Sequence, residues 1–159
     1  MVLGLVISHL DYGNSLYVGL PEVDISKLQR IQNMAAKLVL QRGRHDSSSR
    51  ALEELHWLPI RSRIVHKVLT LVYKCIVDKS APAYLMNKFS LAPQSTRSLR
   101  SSSTVFKLVE PRVRRSTYAA RAISVTGAKE WNKLPNYIKE SSNIAIFKRK
   151  LKTHLFPKF

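Results

Sequence analysis

Between Arg61 and Val77 the apolar residues fall into two adjacent rows. Ile64, Val68, Leu71 and Cys75 form one, and Val65, Leu69, Val72 and Ile76 form the other. Steps of three and four residues are the period of an α-helix, and two neighbouring rows make a broad buried face. Arg63, Lys67 and Lys74 lie on the other side. A chain organised round such a helix is expected to be all-α.

The flanking segments agree. Asp24 to about Leu40 reads as a helix, with Leu28, Ile31, Ala35 and Leu38 as its apolar stripe. Asp24 or Ser26 is its expected cap, Ser26-x-x-Gln29 has capping-box spacing, and Gly43 lies where a helix stop should. Ser47–Ser49 can cap a short helix running to about His56, which Leu58-Pro59 breaks. Pro82 to about Phe89 allows one more short helix, with proline at a permitted first-turn position. From Ser90 to about Tyr118 the helical period disappears among Ser, Arg and Pro, and alternation at Thr104–Val109 suits a short strand or extended arm. Ala119 to about Leu134 is again helical and closed by Pro135. Asn143 to Phe156 is a terminal helix with Ile144, Phe147, Leu151 and Leu155 on one face. The expected fold is an all-α, small helical bundle of about six helices with an irregular basic arm. Residues 1–89 form the helical bundle, 90–118 the Ser/Arg-rich arm and 119–159 a C-terminal helical region.

Charge separates the two parts of the chain. Up to Leu58, six basic residues meet six acids; from Pro59 onward, 21 basic residues meet four acids, so the whole net charge of +17 lies there. A field of one sign repels itself unless a polyanion neutralises it, and nucleic acid is the commonest such partner. The richest segment carries Arg97, Arg100, Lys107, Arg112, Arg114, Arg115 and Arg121 against Glu110 alone, with serine hydroxyls beside them. Arginine and serine grip phosphate oxygens. Arg97, Arg100, Lys107, Arg112, Arg114 and Arg115 are the expected nucleic-acid contacts, with Arg63 and Lys67 secondary. Tyr118, Trp131 and Tyr137 lie near these charges and could stack on bases, but Trp131 fits a helix packing face better.

Catalytic groups are not evident. His56 has no nucleophile and orienting acid nearby and reads as part of a helix-to-helix corner with Trp57 packed inward. Asp11-Tyr12 is an isolated acid–aromatic pair, whereas two-metal phosphoryl transfer needs clustered carboxylates. No histidine spacing resembles a metal site and no glycine-rich phosphate loop is present, so neither enzyme activity nor a cofactor is expected. Cys75 is the only cysteine, which rules out an intrachain disulfide and fits an intracellular setting, nucleus or cytoplasm. No run reaches about 18 apolar residues, so no transmembrane helix is expected. Met1–Leu10 begins apolar and without a cap, as though the chain opened partway through a longer protein.

An ordered set of strings covers nearly the whole chain: Ser8-His-Leu-Asp-Tyr-Gly-Asn-Ser-Leu16, Gly19-Leu-Pro21, Leu28-Gln-Arg-Ile-Gln-Asn-Met-Ala-Ala-Lys-Leu38 and Leu55-His-Trp-Leu-Pro59. They continue with Arg97-Ser-Leu-Arg-Ser-Ser-Ser103, Trp131-Asn-Lys-Leu-Pro135 and Phe147-Lys-Arg-Lys-Leu-Lys-Thr-His-Leu-Phe156. Together they resemble the C-terminal region of non-LTR retrotransposon reverse transcriptases, the jockey-like LINE polyproteins. The resemblance implies that residues 1–89 are thumb-like and that the chain follows a catalytic palm. That family's aromatic-x-Asp-Asp metal box is missing, and Gly13 stands where relatives often carry cysteine, so RNA-directed DNA polymerase activity does not carry over.

The function expected from these observations is sequence-independent binding of RNA, DNA or their hybrid duplex by a non-catalytic fragment. The alternative is a helical protein-interaction or self-association module, with the apolar segment Val2–Ile7 as its contact. A third is membrane-surface binding by the basic amphipathic helix Asn143–Phe156.

Overall fold

A computed structural model describes residues 3–93, 106–113 and 119–156. It is all-α: the described residues contain no β-sheet, only a single antiparallel bridge between Leu91 and Leu108. A π-helical turn at Leu3–Ile7 leads into α1 (Ser8–Asp11). Then come α2 (Glu22–Val39), α3 (Ser48–Glu54), α4 (Ile60–Ile76) and α5 (Ala83–Met86). After the basic segment follow α6 (Ile123–Lys133), α7 (Asn136–Lys139) and α8 (Ile144–Leu155). Three of these eight segments, α1, α5 and α7, are only four residues long, and a single turn carries no 3.6-residue pattern to read. No helix is long and apolar enough to cross a membrane among the described residues.

Contacts divide the chain into two compact units, one of residues 1–65 with 155–159 and one of residues 66–154. The division falls within α4, not at the 89/90 boundary expected from composition.

In the first unit, α2 buries Ile25, Gln32, Ala35 and Ala36. Half of the stripe expected there faces the core, with Ala35 buried and Leu28 packed on the isoleucine cluster, but Ile31 is 43% exposed and Leu38 67%. The reason is Gln32, a polar residue at the centre of the buried face. Its Nε2 donates to the Leu58 carbonyl at 2.8 Å. Gln29, one turn earlier, accepts the Ile60 backbone N–H at 2.9 Å, and its own Nε2 donates to Gln32 Oε1 and Asn33 Oδ1. Gln29 thus satisfies the first N–H of α4, a group that a helix cannot satisfy by itself, and Gln32 braces Gln29. The expected capping box is therefore absent. Pro21 precedes α2 with no side-chain cap, and Ser26 Oγ donates to the Val23 carbonyl. Ile25, Ile60 and Ile64 pack together beneath Leu10, Tyr17, Val18, Leu20 and Leu28. A second cluster joins Ala36, Ala51 and Leu52 to Leu40, Leu55 and Trp57.

The stop of α2 differs from expectation too. α2 ends on Gln41 in the left-handed region, with the Arg42 N–H returning to the Lys37 carbonyl, so Gly43 is not the stop. α3 starts as expected, with Ser47 Oγ accepting the Arg50 N–H. It ends on His56 at φ 51°, and the Trp57 N–H closes onto the Leu52 carbonyl at 2.8 Å. This left-handed closure satisfies carbonyls left open at a helix end. His56 and Trp57 thus form the corner read from the sequence. The apolar start is only partly buried: Ile7 is in the core but Leu5 is 57% exposed. Val2 lies outside the described residues.

In the second unit, Val68, Leu69, Val72 and Tyr73 of α4 are buried with Trp131, Ile138, Phe147 and Leu151. Tyr73 stacks on Phe147 with ring centroids 4.3 Å apart, and its hydroxyl donates to the Ser141 carbonyl at 2.6 Å. Gly127 lets α6 approach α4 closely, since a Cβ there would sit 3.0 Å from Val72 Cγ2. Cys75 is buried among these residues, which pushes its thiol pKa up. Asn143 caps α8 through Oδ1, which accepts the Ile146 N–H at 2.8 Å.

Replacing Gln32 by leucine should cost about 1–3 kcal/mol, because the Leu58 carbonyl loses its buried partner. Chemical denaturation checks this; a variant as stable as the native chain would show that the glutamine contact is dispensable.

Candidate nucleic-acid interface

The residues expected to meet phosphate do not all stand alike. Arg97, Arg100, Arg114 and Arg115 lie outside the described residues. Lys107, Arg112 and Lys67 are exposed side chains with no ion pair among the described residues. Arg63 is different. It faces Asp11 in a two-pronged ion pair, Nε to Oδ1 at 2.8 Å and Nη2 to Oδ2, with only 18% of its side chain exposed. Its charge is already matched by a carboxylate in the geometry that suits guanidinium best. Arg63 therefore holds the α1 end against α4 and is not a free cation for phosphate. The same pair accounts for Asp11 without any metal.

Lys107 owes its placement to α6. Trp131 is fully buried, as its packing face suggested, and its indole N–H donates to the Phe106 carbonyl at 2.7 Å. The next residue, Asn132, grips Leu108 on both sides. Its Oδ1 accepts the Leu108 N–H at 2.9 Å, and its Nδ2 donates to the Leu108 carbonyl and to Glu110 Oε1, both at 3.0 Å. Leu108 is buried beneath this clamp. On the other edge, the Ala92 N–H donates to the Lys107 carbonyl and the Val109 N–H to the Ser90 carbonyl. The backbone on both sides of Lys107 is thus anchored while its side chain stays in water. Phe106, at φ 52°, makes the bend that leads into this rail.

Further cations flank α8. Lys148, Arg149 and Lys152 are exposed, while Lys150 is tied to the Tyr137 carbonyl at 2.9 Å. A ring nitrogen of His66 lies 3.3 Å from the Lys148 carbonyl. Lys67 therefore sits one residue from the point where α4 meets α8. Tyr137 is exposed beside Lys150, and Tyr118 lies outside the described residues.

Four residues of consequence carry little signal of their roles in the sequence. Gln29 reads as a capping-box residue and Gln32 only as a polar residue on a helix, although Gln32 recurs seven residues after Ile25 on the buried side. Asn132 carries no signal beyond its place next to Trp131. Lys139 carries none: it is fully buried, its Nζ has no hydrogen-bond partner among the described residues, and burial lowers its pKa from the usual 10.5. No group of three or more His, Cys, Asp or Glu side chains able to hold a metal occurs among the described residues. No protein-family model matches the chain, and no curated protein or solved structure matches it.

Asn132→Ala should lower stability by about 2 kcal/mol through the orphaned Leu108 groups. It should also speed amide exchange at Leu108, and unchanged protection there would remove the clamp. Lys139→Met should stabilise the chain by about 1–3 kcal/mol near neutral pH, since it removes a buried amine without a partner. A lysine with a lowered folded pKa binds fewer protons folded than unfolded, so its penalty is complete below that lowered value and fades as pH rises towards 10.5. The stability advantage of the methionine variant should therefore shrink in alkali. The buried Tyr73 hydroxyl, whose pKa burial raises, acts in the opposite direction in both chains and cancels in the comparison. A constant difference across that range would count against a charged Lys139.

Proposed function

We propose that this chain is a non-catalytic fragment that binds nucleic acid through phosphates without reading sequence. We further propose that it corresponds to the thumb and post-thumb region of a jockey-like retrotransposon reverse transcriptase. One observation carries the binding reading. The positive charge after Leu58 is not consumed by folding: Lys67, Lys107, Arg112, Lys148, Arg149 and Lys152 are exposed and hold no ion pair among the described residues. All six belong to one compact unit. Cations left in water and aimed at no acid lose little by meeting phosphates, and the counterions released from the nucleic acid drive binding. The anchored rail at Phe106–Glu110 supports the same reading, because it holds part of the basic segment in place before any ligand arrives. The retrotransposon assignment rests on the ordered strings alone; within it, RNA, DNA and their hybrid are equally acceptable ligands.

A second reading, a helical interaction or self-association module, is favoured by a different observation. Ile31, Met34 and Leu38 make an exposed apolar stripe along α2, and Leu5, Tyr12 and Leu16 are exposed in the same unit. Apolar side chains grouped this way on a surface commonly mark a contact. The stripe on α2 is a better candidate for that contact than the Val2–Ile7 segment, whose Ile7 is buried.

Titration with duplex DNA at several salt concentrations separates the two readings. With about five or six phosphate contacts, log K should fall against log salt with a slope of about −4.5 to −5.4. Changing Arg112, Arg114 and Arg115 together to alanine should flatten it by about 2–3 units while leaving helicity intact. No binding at low salt, combined with a concentration-dependent mass that Leu38→Lys abolishes, would replace the nucleic-acid reading by the interaction module. Binding to anionic vesicles but not to RNA would point to the membrane surface.

A further inference from the structure

The first unit carries no net charge up to Leu58, yet it contains a cleft of about 500 Å³. One wall is α2, through Glu22, Ile25, Ser26, Gln29, Arg30 and Asn33; the other is formed by the starts of α3 and α4. The floor is apolar, made by Ile25, Leu52 and Pro59. Polar groups on the lining come from Arg30 and Asn33 of α2 and from Ser48 and Ser49 of α3. This face of α2 differs from both the buried face and the exposed Ile31–Met34–Leu38 stripe. At about 100° per residue, the three lie on separate sectors of the helix.

The partners of the polar groups are informative. Arg61 pairs with Glu22 across the cleft mouth. Arg30 is exposed and has no ion pair among the described residues. Asn33 lines the cleft and accepts Gln29 Nε2 through Oδ1 at 2.8 Å, so its oxygen is engaged while its amide N–H groups remain available as donors. Two arginines and one glutamate give the cleft a net charge of +1. That matches a single phosphodiester, and the volume is far more than a phosphate alone fills. A ligand for this cleft combines one negative charge, a flat weakly polar body for the Pro59 floor, and acceptors for Asn33 and the serines.

We infer that the cleft between α2 and the starts of α3 and α4 takes one unpaired nucleotide of a single strand. Its base lies on Pro59 and Leu52 within reach of Asn33, and its phosphodiester lies at Arg30. The inference rests on the nucleic-acid reading above and adds to it a preference for bases that a duplex does not offer. Stacked bases are unavailable to such a site, so the cleft discriminates strand state and not sequence.

The test compares the full chain's affinity for short oligo(dT) and for an abasic oligodeoxynucleotide of equal length, which has the same phosphates and no bases. Oligo(dT) should bind about tenfold tighter, the gain from burying roughly 55 Å² of apolar base surface on Leu52 and Pro59. Ser49→Trp, which fills the cleft mouth without changing charge, should bring oligo(dT) down to the abasic affinity. Asn33→Ala, which removes the amide beside the base and leaves the phosphate contact, should also reduce the preference, which keeps the test decisive if the tryptophan variant fails to fold. Equal affinity for the two strands, with a steep salt slope, would overturn the cleft assignment and leave the nucleic-acid reading standing. A preference that survives both variants would place base binding elsewhere and overturn it too. If neither strand binds, the nucleic-acid reading fails. An NMR titration with thymidine monophosphate then decides the cleft separately: amide shifts confined to Asn33, Ser48 and Ser49 would retain it. No shifts, or the same shifts at the same concentrations of inorganic phosphate, would overturn it.

Discussion

A backbone N–H removed from water without an acceptor costs more than most single contacts return. The start of α4 is where this chain meets that constraint. α4 is the helix that both compact units use: Ile60 and Ile64 are buried in one, and Val68, Val72 and Tyr73 in the other. Its broad apolar face forces it inward and takes its first turn along. Gln29 and Gln32 resolve the conflict from α2, one accepting the Ile60 N–H and the other donating to the Leu58 carbonyl. Their position dictates which face of α2 is buried, and so which residues are left in water. The exposed Ile31–Met34–Leu38 stripe and the cleft along Arg30 and Asn33 both follow from that one choice of face.

The second unit solves an analogous problem with a different residue. A basic, serine-rich segment has no periodic apolar face to hold it against a bundle. Trp131 and Asn132 supply the anchor by bonding to backbone groups, leaving the side chains free. Backbone anchoring tolerates charge on the outward side, because Leu108 is the residue the rail buries. The proposed phosphate contact at Lys107 is then held on an anchored track. The ordering entropy of the anchored residues is settled within the fold, so it does not have to be met on binding.

Ion pairing marks the boundary between cations that serve the fold and cations left for a partner. Arg63, Arg61, Arg42, Lys27 and Lys133 each hold a carboxylate. Arg63 is the instructive case, since it occupies the polar side of α4 as Lys67 does. The two differ because α1 brings Asp11 to Arg63, a distance of 52 residues along the chain. Lys139 is the opposite extreme, an amine buried with neither a carboxylate nor a hydrogen bond among the described residues.

Local order and periodicity determined the all-α class, the span of α4 and α8, the cap of α3, the corner at His56-Trp57, the inward face of Trp131 and the excess of positive charge. Each of these depends on residues within a few turns of one another, where the helical period dominates the energetics. The tertiary structure alone decided the buried face of α2, the fate of Arg63, the burial of Lys139, the clamp at Asn132 and the cleft beside Arg30. Three of these rest on a partner far away in sequence, Gln32 with Leu58, Asp11 with Arg63 and Asn132 with Leu108, and the other two on the packing of segments distant in sequence. A hydrogen bond or ion pair between distant residues leaves no periodic trace, because either partner alone is compatible with solvent exposure. Only the folded chain brings the two within bonding distance and makes the choice between water and protein.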